Sequence, residues 1–185
     1  MTRKPVTLLA FAVYVAAIVL ANFFISHIGT PTPFHTHTFP VGFGLVAPSG
    51  TYWAALAFPA RDVVQRTGGR VLGFLAILVG AGLSYGVSSH TIAFASGATF
   101  LVAETLDMLI YTPLQKGRAG YRFALAVVVS GTVGAVVNAW MFLTLAHLPL
   151  EANMPGLLVG TLWVIGVGGA VALALRRTGP LAVAA

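Results

Sequence analysis

Six apolar stretches divide the chain, at about residues 6–27, 40–60, 71–89, 91–113, 123–146 and 156–175, with short polar turns between them. Each is long enough to cross a bilayer, since about 20 helical residues span the hydrocarbon core. The pattern predicts an all-α polytopic membrane protein, with six transmembrane helices in one integral membrane domain covering residues 1–185.

The fourth stretch, TIAFASGATFLVAETLDMLIYTP, carries Glu104 and Asp107 near its middle. On a helix turning about 100° per residue, Phe100, Glu104, Asp107 and Tyr111 fall within an arc of about 60°, with Gly97 beside them. A carboxylate at the bilayer centre costs roughly 2.5–3.5 kcal/mol, so this stripe is expected to face inward. Two roles are open to it. Either the acids are protonated or paired and hold helices together, or they form a ligand or ion site, the default for an intramembrane ionisable group.

The first stretch follows Arg3 and Lys4. A signal peptide begins the same way, and Val19-Leu20-Ala21 resembles a weak cleavage site, but the length of the run and the five segments after it make it the first membrane helix. Asn22, near its outer end, either bonds a neighbouring helix or lines a cavity. In the second stretch Ala47-Pro48-Ser49-Gly50 and Phe58-Pro59 predict a helix broken or bent inside the membrane; a plain kink is the alternative to a substrate-facing break. Arg61-Asp62, Gln65, Arg66 and Gly68-Gly69-Arg70 are then expected at its inner end. The glycine pair is no phosphate loop, because no Gly-Lys-Ser/Thr follows. Gly73, Gly80 and Ser84 in the third stretch, and Gly156/Gly160 and Gly166/Ala170 in the sixth, are small residues suited to tight helix contacts. In the fifth, Ser130, Gly134, Asn138 and Phe142 are each four residues apart and make one slowly drifting inner face.

Composition excludes several classes. The 185 residues are 58% hydrophobic and 8% charged, which leaves no polar tract for a soluble domain. There is no cysteine, hence no disulfide frame, thiolate nucleophile or iron–sulfur site. His27, His35 and His37 fall in or beside a loop without Cys, Asp or Glu to complete a ligand set, so no metal site is assigned, and no cofactor either. The formal charge of +6 comes from clusters between apolar runs rather than a basic face, which argues against nucleic acid. No His-Glu-x-x-His, Gly-x-Ser-x-Gly or Cys nucleophile accompanies Glu104 and Asp107, so an enzyme is not expected.

The run GLVAPSGTYWAALAFPARDVVQRTGGR, residues 44–70, resembles the signature of the vitamin-uptake-type membrane proteins that include the queuosine precursor transporters. In that family a Pro-x-Gly break is followed by an apolar stretch, an Arg-Asp at the cytoplasmic end and a glycine, places taken here by Pro48, Gly50, Arg61, Asp62, Gln65 and Gly69. Asp107 matches the Asp of the family's Gln-x-x-Asp, while Glu104 replaces the Gln. In the fifth helix Ser130, Gly134 and Phe142 are kept, but Asn138 stands where the family has Asp and Ala135 where it has an amide. A carboxylate moved from position 138 to position 104 would account for the departures at those two positions, though not for Ala135.

The resemblance implies a six-helix bundle similar to the substrate-binding component of energy-coupling-factor transporters. It also implies uptake of 7-deazapurines such as 7-cyano-7-deazaguanine in the cytoplasmic (inner) membrane of a prokaryotic cell. A guanine-like edge presents adjacent N–H donors that Glu104 or Asp107 could accept, with Phe100, Trp53, Trp140 and Phe142 as ring contacts and Asn22, Ser130 and Asn138 as further polar ones. The alternative is a substrate-binding component for another vitamin, docking an ATPase partner through small residues such as Ala12 and Ala16; a structural membrane protein is the third reading. The chain has no ATP-binding motif of its own, and homo-oligomerisation is left open.

All ten Lys and Arg residues lie at the termini, at 61–70 or at 116–122. Six crossings with this asymmetry put both termini in the cytoplasm. Tags at either end are expected to be reached only from the cytoplasmic face; an external tag at both ends would reverse the topology.

Overall fold

The computed structural model describes residues 3–87, 90–115 and 121–175. They form helices α1 (Arg3–His27), α2 (Thr51–Gly68), α3 (Arg70–Val87), α4 (His90–Leu114), α5 (Tyr121–Leu145) and α6 (Leu150–Leu175), and strands β1 (Thr30–Pro31), β2 (His37–Gly42) and β3 (Leu45–Pro48). The end of the third apolar stretch at 88–89 and the basic residues at 116–118 and 176–177 lie outside the described residues. Four segments, Lys4–His27, Ile92–Leu114, Tyr121–Leu145 and Leu150–Val171, are long and apolar enough to cross a membrane, and α3 is apolar but shorter. Leu8, Val71, Val136, Trp163 and Val167 are exposed on the outside, whereas Arg61, Asp62, Glu104 and Asp107 are buried. Apolar residues outward and charges inward fit a membrane-embedded chain, where the surrounding solvent is hydrocarbon.

The second segment differs from its sequence expectation. Residues 40–48 are not the first half of a broken helix; they belong to an antiparallel sheet in the order β1-β2-β3, with Thr38 paired to Pro48, Phe39 to Ala47 and Pro40 to Val46. Two local constraints produce this. Pro48 disfavours helical geometry at Ala47, and Gly42, Phe43 and Gly44 all have positive φ, which turns the chain back on itself. Pro40, which has no N–H to give a ladder, sits at the register irregularity between Pro40 and Gly42. Helix α2 therefore begins only at Thr51, whose Oγ1 donates to the Pro48 carbonyl at 2.6 Å. It then runs through Pro59 to Gly68, where Gly69, at φ 93°, ends it.

Cross-links fix how the helices run. The Thr7 hydroxyl near the start of α1 donates to Thr67 near the end of α2 at 2.8 Å, and the Asn22 amide near the end of α1 donates to Ser84 near the end of α3 at 3.2 Å. Thus α1 and α2 are antiparallel while α1 and α3 run together. Helix α2 touches each of the other five helices. The least apolar helix occupies the middle, and its neighbours separate it from lipid. Close approach depends on missing side chains: Gly80 admits the Tyr14 hydroxyl and the Phe100 ring, and Gly168 of α6 receives the Pro59 ring.

Two glycines seat the hairpin and the helix that follows it. A Cβ on Gly50 would run into the Ala21 carbonyl, and one on Gly156 into the backbone of Val46. Backbone cannot step aside as a side chain can. Gly50→Ala and Gly156→Ala are expected to lower the unfolding temperature in detergent, consistent with an overpacking cost of about 1–3 kcal/mol. Gly86→Ala, with nothing within 4 Å of the added carbon, should not. Unchanged unfolding of Gly156→Ala would mean that α6 does not hold the hairpin.

Candidate functional site: a buried guanidinium cluster beside a neutral cavity

Arg61 is ten residues into α2, about 15 Å from its start and about 10 Å from its end. It is fully buried. Its guanidinium gathers three of the four acids in the chain. Asp62 Oδ1 lies 3.1 Å from Nη1, Glu104 Oε2 accepts from Nε at 3.0 Å, and Asp107 Oδ2 contacts Nη2. Nη1 also donates to Gln65 Oε1 at 2.9 Å, and the Gln65 amide donates to Thr112 Oγ1 at 2.9 Å. The Tyr111 hydroxyl donates to the Asp62 carbonyl at 3.3 Å. Helices α2 and α4 are thereby joined by charge and hydrogen bonds over about two turns of α4.

The sequence placed these partners differently. Arg61, Asp62 and Gln65 were expected at the cytoplasmic end of a helix finishing near Ala60. Because residues 40–48 form strands, the helix is displaced along the chain and its Arg-Asp pair comes to rest in the interior. Glu104 and Asp107 do face inward together, as their stripe requires. What they face is Arg61. Gly134 completes the enclosure from α5: a Cβ there would lie 3.2 Å from that of Asp107 and 2.9 Å from the Phe58 ring. Ser130, one turn away on α5, is buried, and its hydroxyl has no hydrogen-bond partner.

A separate cavity lies toward the hairpin end of the bundle. It is walled by all six helices, through Asn22 of α1, Thr51 of α2, Ser84 of α3, Thr99 and Phe100 of α4, Asn138 and Phe142 of α5 and Thr161 of α6, together with Pro48 and Gly50. Its interior offers about 70 Å³ to the centre of a water-sized sphere, several times what one water needs. With the mouth included, the empty space is about 610 Å³. None of its lining residues is charged. Thr99 is buried, and its hydroxyl has no hydrogen-bond partner. A buried hydroxyl in that condition costs about 1–3 kcal/mol unless something polar meets it.

Of the predicted contacts, Asn22, Phe100, Asn138 and Phe142 share this cavity, and the Pro48-Ser49-Gly50 break contributes to its wall. Asn22 has both roles considered for it, since it also bonds Ser84 and donates to the Ile18 carbonyl at 2.9 Å. Glu104 and Asp107 are not part of the wall. Asn138 and Glu104 therefore occupy different environments. Trp140 is 56% exposed on the outer surface. Two residues along a helix turn about 200°, so Trp140 and Phe142 cannot share one face. Trp53 packs edge-on against Phe24 at 5.6 Å, away from the cavity lining. Sequence reasoning missed Thr51, Ser84, Ser96, Thr99 and Thr161 as cavity residues, because single Ser and Thr in membrane helices most often bond their own backbone. No three His, Cys, Asp or Glu among the described residues could hold a metal ion.

Removing one member of a buried ion cluster leaves the others uncompensated, at about 3–5 kcal/mol. Arg61→Gln is expected to abolish accumulation of folded protein. Arg61→Lys should lower the unfolding temperature markedly, because one ammonium cannot present three separated nitrogens to three carboxylates. Wild-type stability of Arg61→Lys in a detergent thermal shift assay would contradict this. No family model, curated protein or solved structure matches the chain.

Proposed function

We propose that the chain is a six-crossing membrane carrier whose cavity takes up a small, flat, uncharged polar molecule, with both termini in the cytoplasm. The single observation that carries this reading is the cavity: all six helices contribute to it, its polar groups are amides and hydroxyls without a charge, and the buried Thr99 hydroxyl has no hydrogen-bond partner. Such a wall suits a neutral heterocycle. Asn138 carries a donor and an acceptor, the pairing that an amide-bearing ring edge needs, and the Phe100 and Phe142 rings can cover its flat faces.

A 7-deazapurine of the queuosine-precursor class has this chemistry and is the substrate class that the resemblance implies. Recognition would then run through amides and hydroxyls, with Glu104 and Asp107 held back by Arg61. The basic ends support the orientation: Arg3 and Lys4 open α1, Arg66 lies near the end of α2 and Arg70 opens α3, all at the end of the bundle away from the hairpin. As the central helix, α2 completes its crossing within the bundle, its charges shielded from lipid by the helices around it.

Uptake of labelled 7-cyano-7-deazaguanine by cells expressing this chain alone tests the reading and needs no added ATPase. Asn138→Leu and Thr99→Val are each expected to cut uptake at least fivefold at unchanged membrane expression, from about 1–3 kcal/mol for each unmet polar contact. Trp140→Ala, on the outer surface, should stay within twofold. Full uptake by Asn138→Leu would move the substrate out of this cavity.

A further inference from the structure

We propose that the Arg61 cluster is a proton-binding site, holding at least one exchangeable proton on Glu104 or an aspartate of the cluster at neutral pH. Its proton binding stands on the geometry alone; its use in driving uptake rests on the carrier reading above.

The charge count requires a cation of some kind. Three carboxylates, from Asp62, Glu104 and Asp107, surround one guanidinium, and all four side chains are fully buried. Two negative charges remain after Arg61 is counted. Arg66, one turn beyond Asp62, is half-buried and lies over the Phe123 ring at 4.3 Å. Setting it against Asp62 would still leave one. The remaining neighbours add no positive charge: Tyr14 from α1, Tyr111 from α4, the Gly134 face of α5 and the Gly80 region of α3 are neutral, and Arg122 stands at the exposed start of α5. An uncompensated carboxylate buried away from water is stabilised most directly by becoming neutral.

Geometry selects the proton over a metal ion. Each acid meets a different nitrogen of the guanidinium, so the three are spread around it rather than gathered on one point, and no metal-type grouping exists among the described residues. Individual oxygens are nonetheless open to a proton. Glu104 Oε1 and Asp107 Oδ1 are buried without a hydrogen-bond partner. Two buried hydroxyls close by are in the same condition. One is Ser130, on the α5 face that carries Gly134; the other is Tyr14, which packs against Phe100 one helical turn from Glu104. A proton added to a carboxylate oxygen turns an acceptor into a donor, which is what a site crowded with unmatched acceptors lacks.

The position gives such a proton a use. Phe100 is on the cavity wall, packs against Tyr14 at 6.0 Å, and is one helical turn from Glu104. A substrate that moves Phe100 would disturb the neighbourhood of the protonated acid, and a proton leaving the acid would tighten Arg61 on α4.

Infrared spectroscopy of the intact protein in nanodiscs tests the site without any substrate. In a Glu151→Gln background Glu104 is the sole glutamate, so carbon-13 labelling of glutamate or of aspartate carboxyls assigns a band without altering the cluster. A protonated-carboxyl stretch at neutral pH that moves with either label, and shifts in heavy water, is the expected result. Absence of any label-sensitive protonated-carboxyl band would show a fully ionised cluster and overturn the proposal. In parallel, uptake of 7-cyano-7-deazaguanine into proteoliposomes is expected to rise at least threefold under an acid-outside gradient. A labelled band without uptake leaves the proton site standing and removes the substrate reading; uptake without the band does the reverse.

Discussion

An arginine does not give up its charge inside a protein, so a helix that carries one through the interior of a helical bundle must bring it anions. Here that demand is met by Asp62 on the same helix and by Glu104 and Asp107 on α4, and much of the architecture follows from it. Helix α2 has to be central, because a peripheral position would expose the cluster to hydrocarbon. Helices α2 and α4 have to meet at a fixed height, because a slip of one residue would turn the carboxylates away by about 100°. Helix α5 has to come close with a glycine, because any side chain at position 134 would press on Asp107 and Phe58. Among the described residues, the fully buried charges are all gathered on this one group.

The cluster and the cavity divide the polar work of the bundle. On α4, Phe100 belongs to the cavity while Glu104, Asp107 and Tyr111 lie beyond it, toward the basic end. On α2 the same order holds, with Thr51 and Ala54 in the cavity wall and Arg61 beyond. One compartment is therefore neutral and hydroxyl-rich, and the other is charged and closed. This separation constrains any ligand of the cavity: a cation would find no carboxylate on the wall, and an anion would find no cation there, since Arg61 is off the wall and held by its own acids. It leaves neutral, hydrogen-bonding molecules as the class that the wall can match without desolvating a charge.

Much of this was legible in the sequence, and the illegible part has one cause. The inward stripe on α4 and the Ser130–Gly134–Asn138–Phe142 face of α5 follow from helical periodicity, and both face the interior as expected. Five of the six helices lie close to the apolar runs that predicted them. The exception is residues 40–60, where a short apolar run reads equally as strand or helix. Length favoured a helix, yet Pro40, Pro48 and the Gly42-Phe43-Gly44 turn were the strand signals. Once those residues form the hairpin, Arg61 and Asp62 move from a helix end to its middle, and the partners of Glu104 and Asp107 become apparent. Trp140 has a simpler explanation. An aromatic residue two places from an inner one is on the opposite side of its helix.

The hairpin connects these observations physically. Its ladder pairs backbone of residues that Pro40 and Pro48 bar from a regular helix. Phe43 at its turn is 83% exposed, and Phe34, in the loop at the other end of β2, is exposed too; exposed aromatic rings suit a membrane interface. Ser49 ties the end of β3 to α1, its hydroxyl donating to the Phe24 carbonyl at 2.7 Å, and Gly156 lets α6 close against Val46. The same few residues thus cover the cavity on one side and, by setting where α2 begins, fix the height at which Arg61 meets its carboxylates on the other. Lengthening or shortening the chain between β3 and Thr51 would change both at once, which is why a small hairpin at the end of the bundle can govern the register of the charged core.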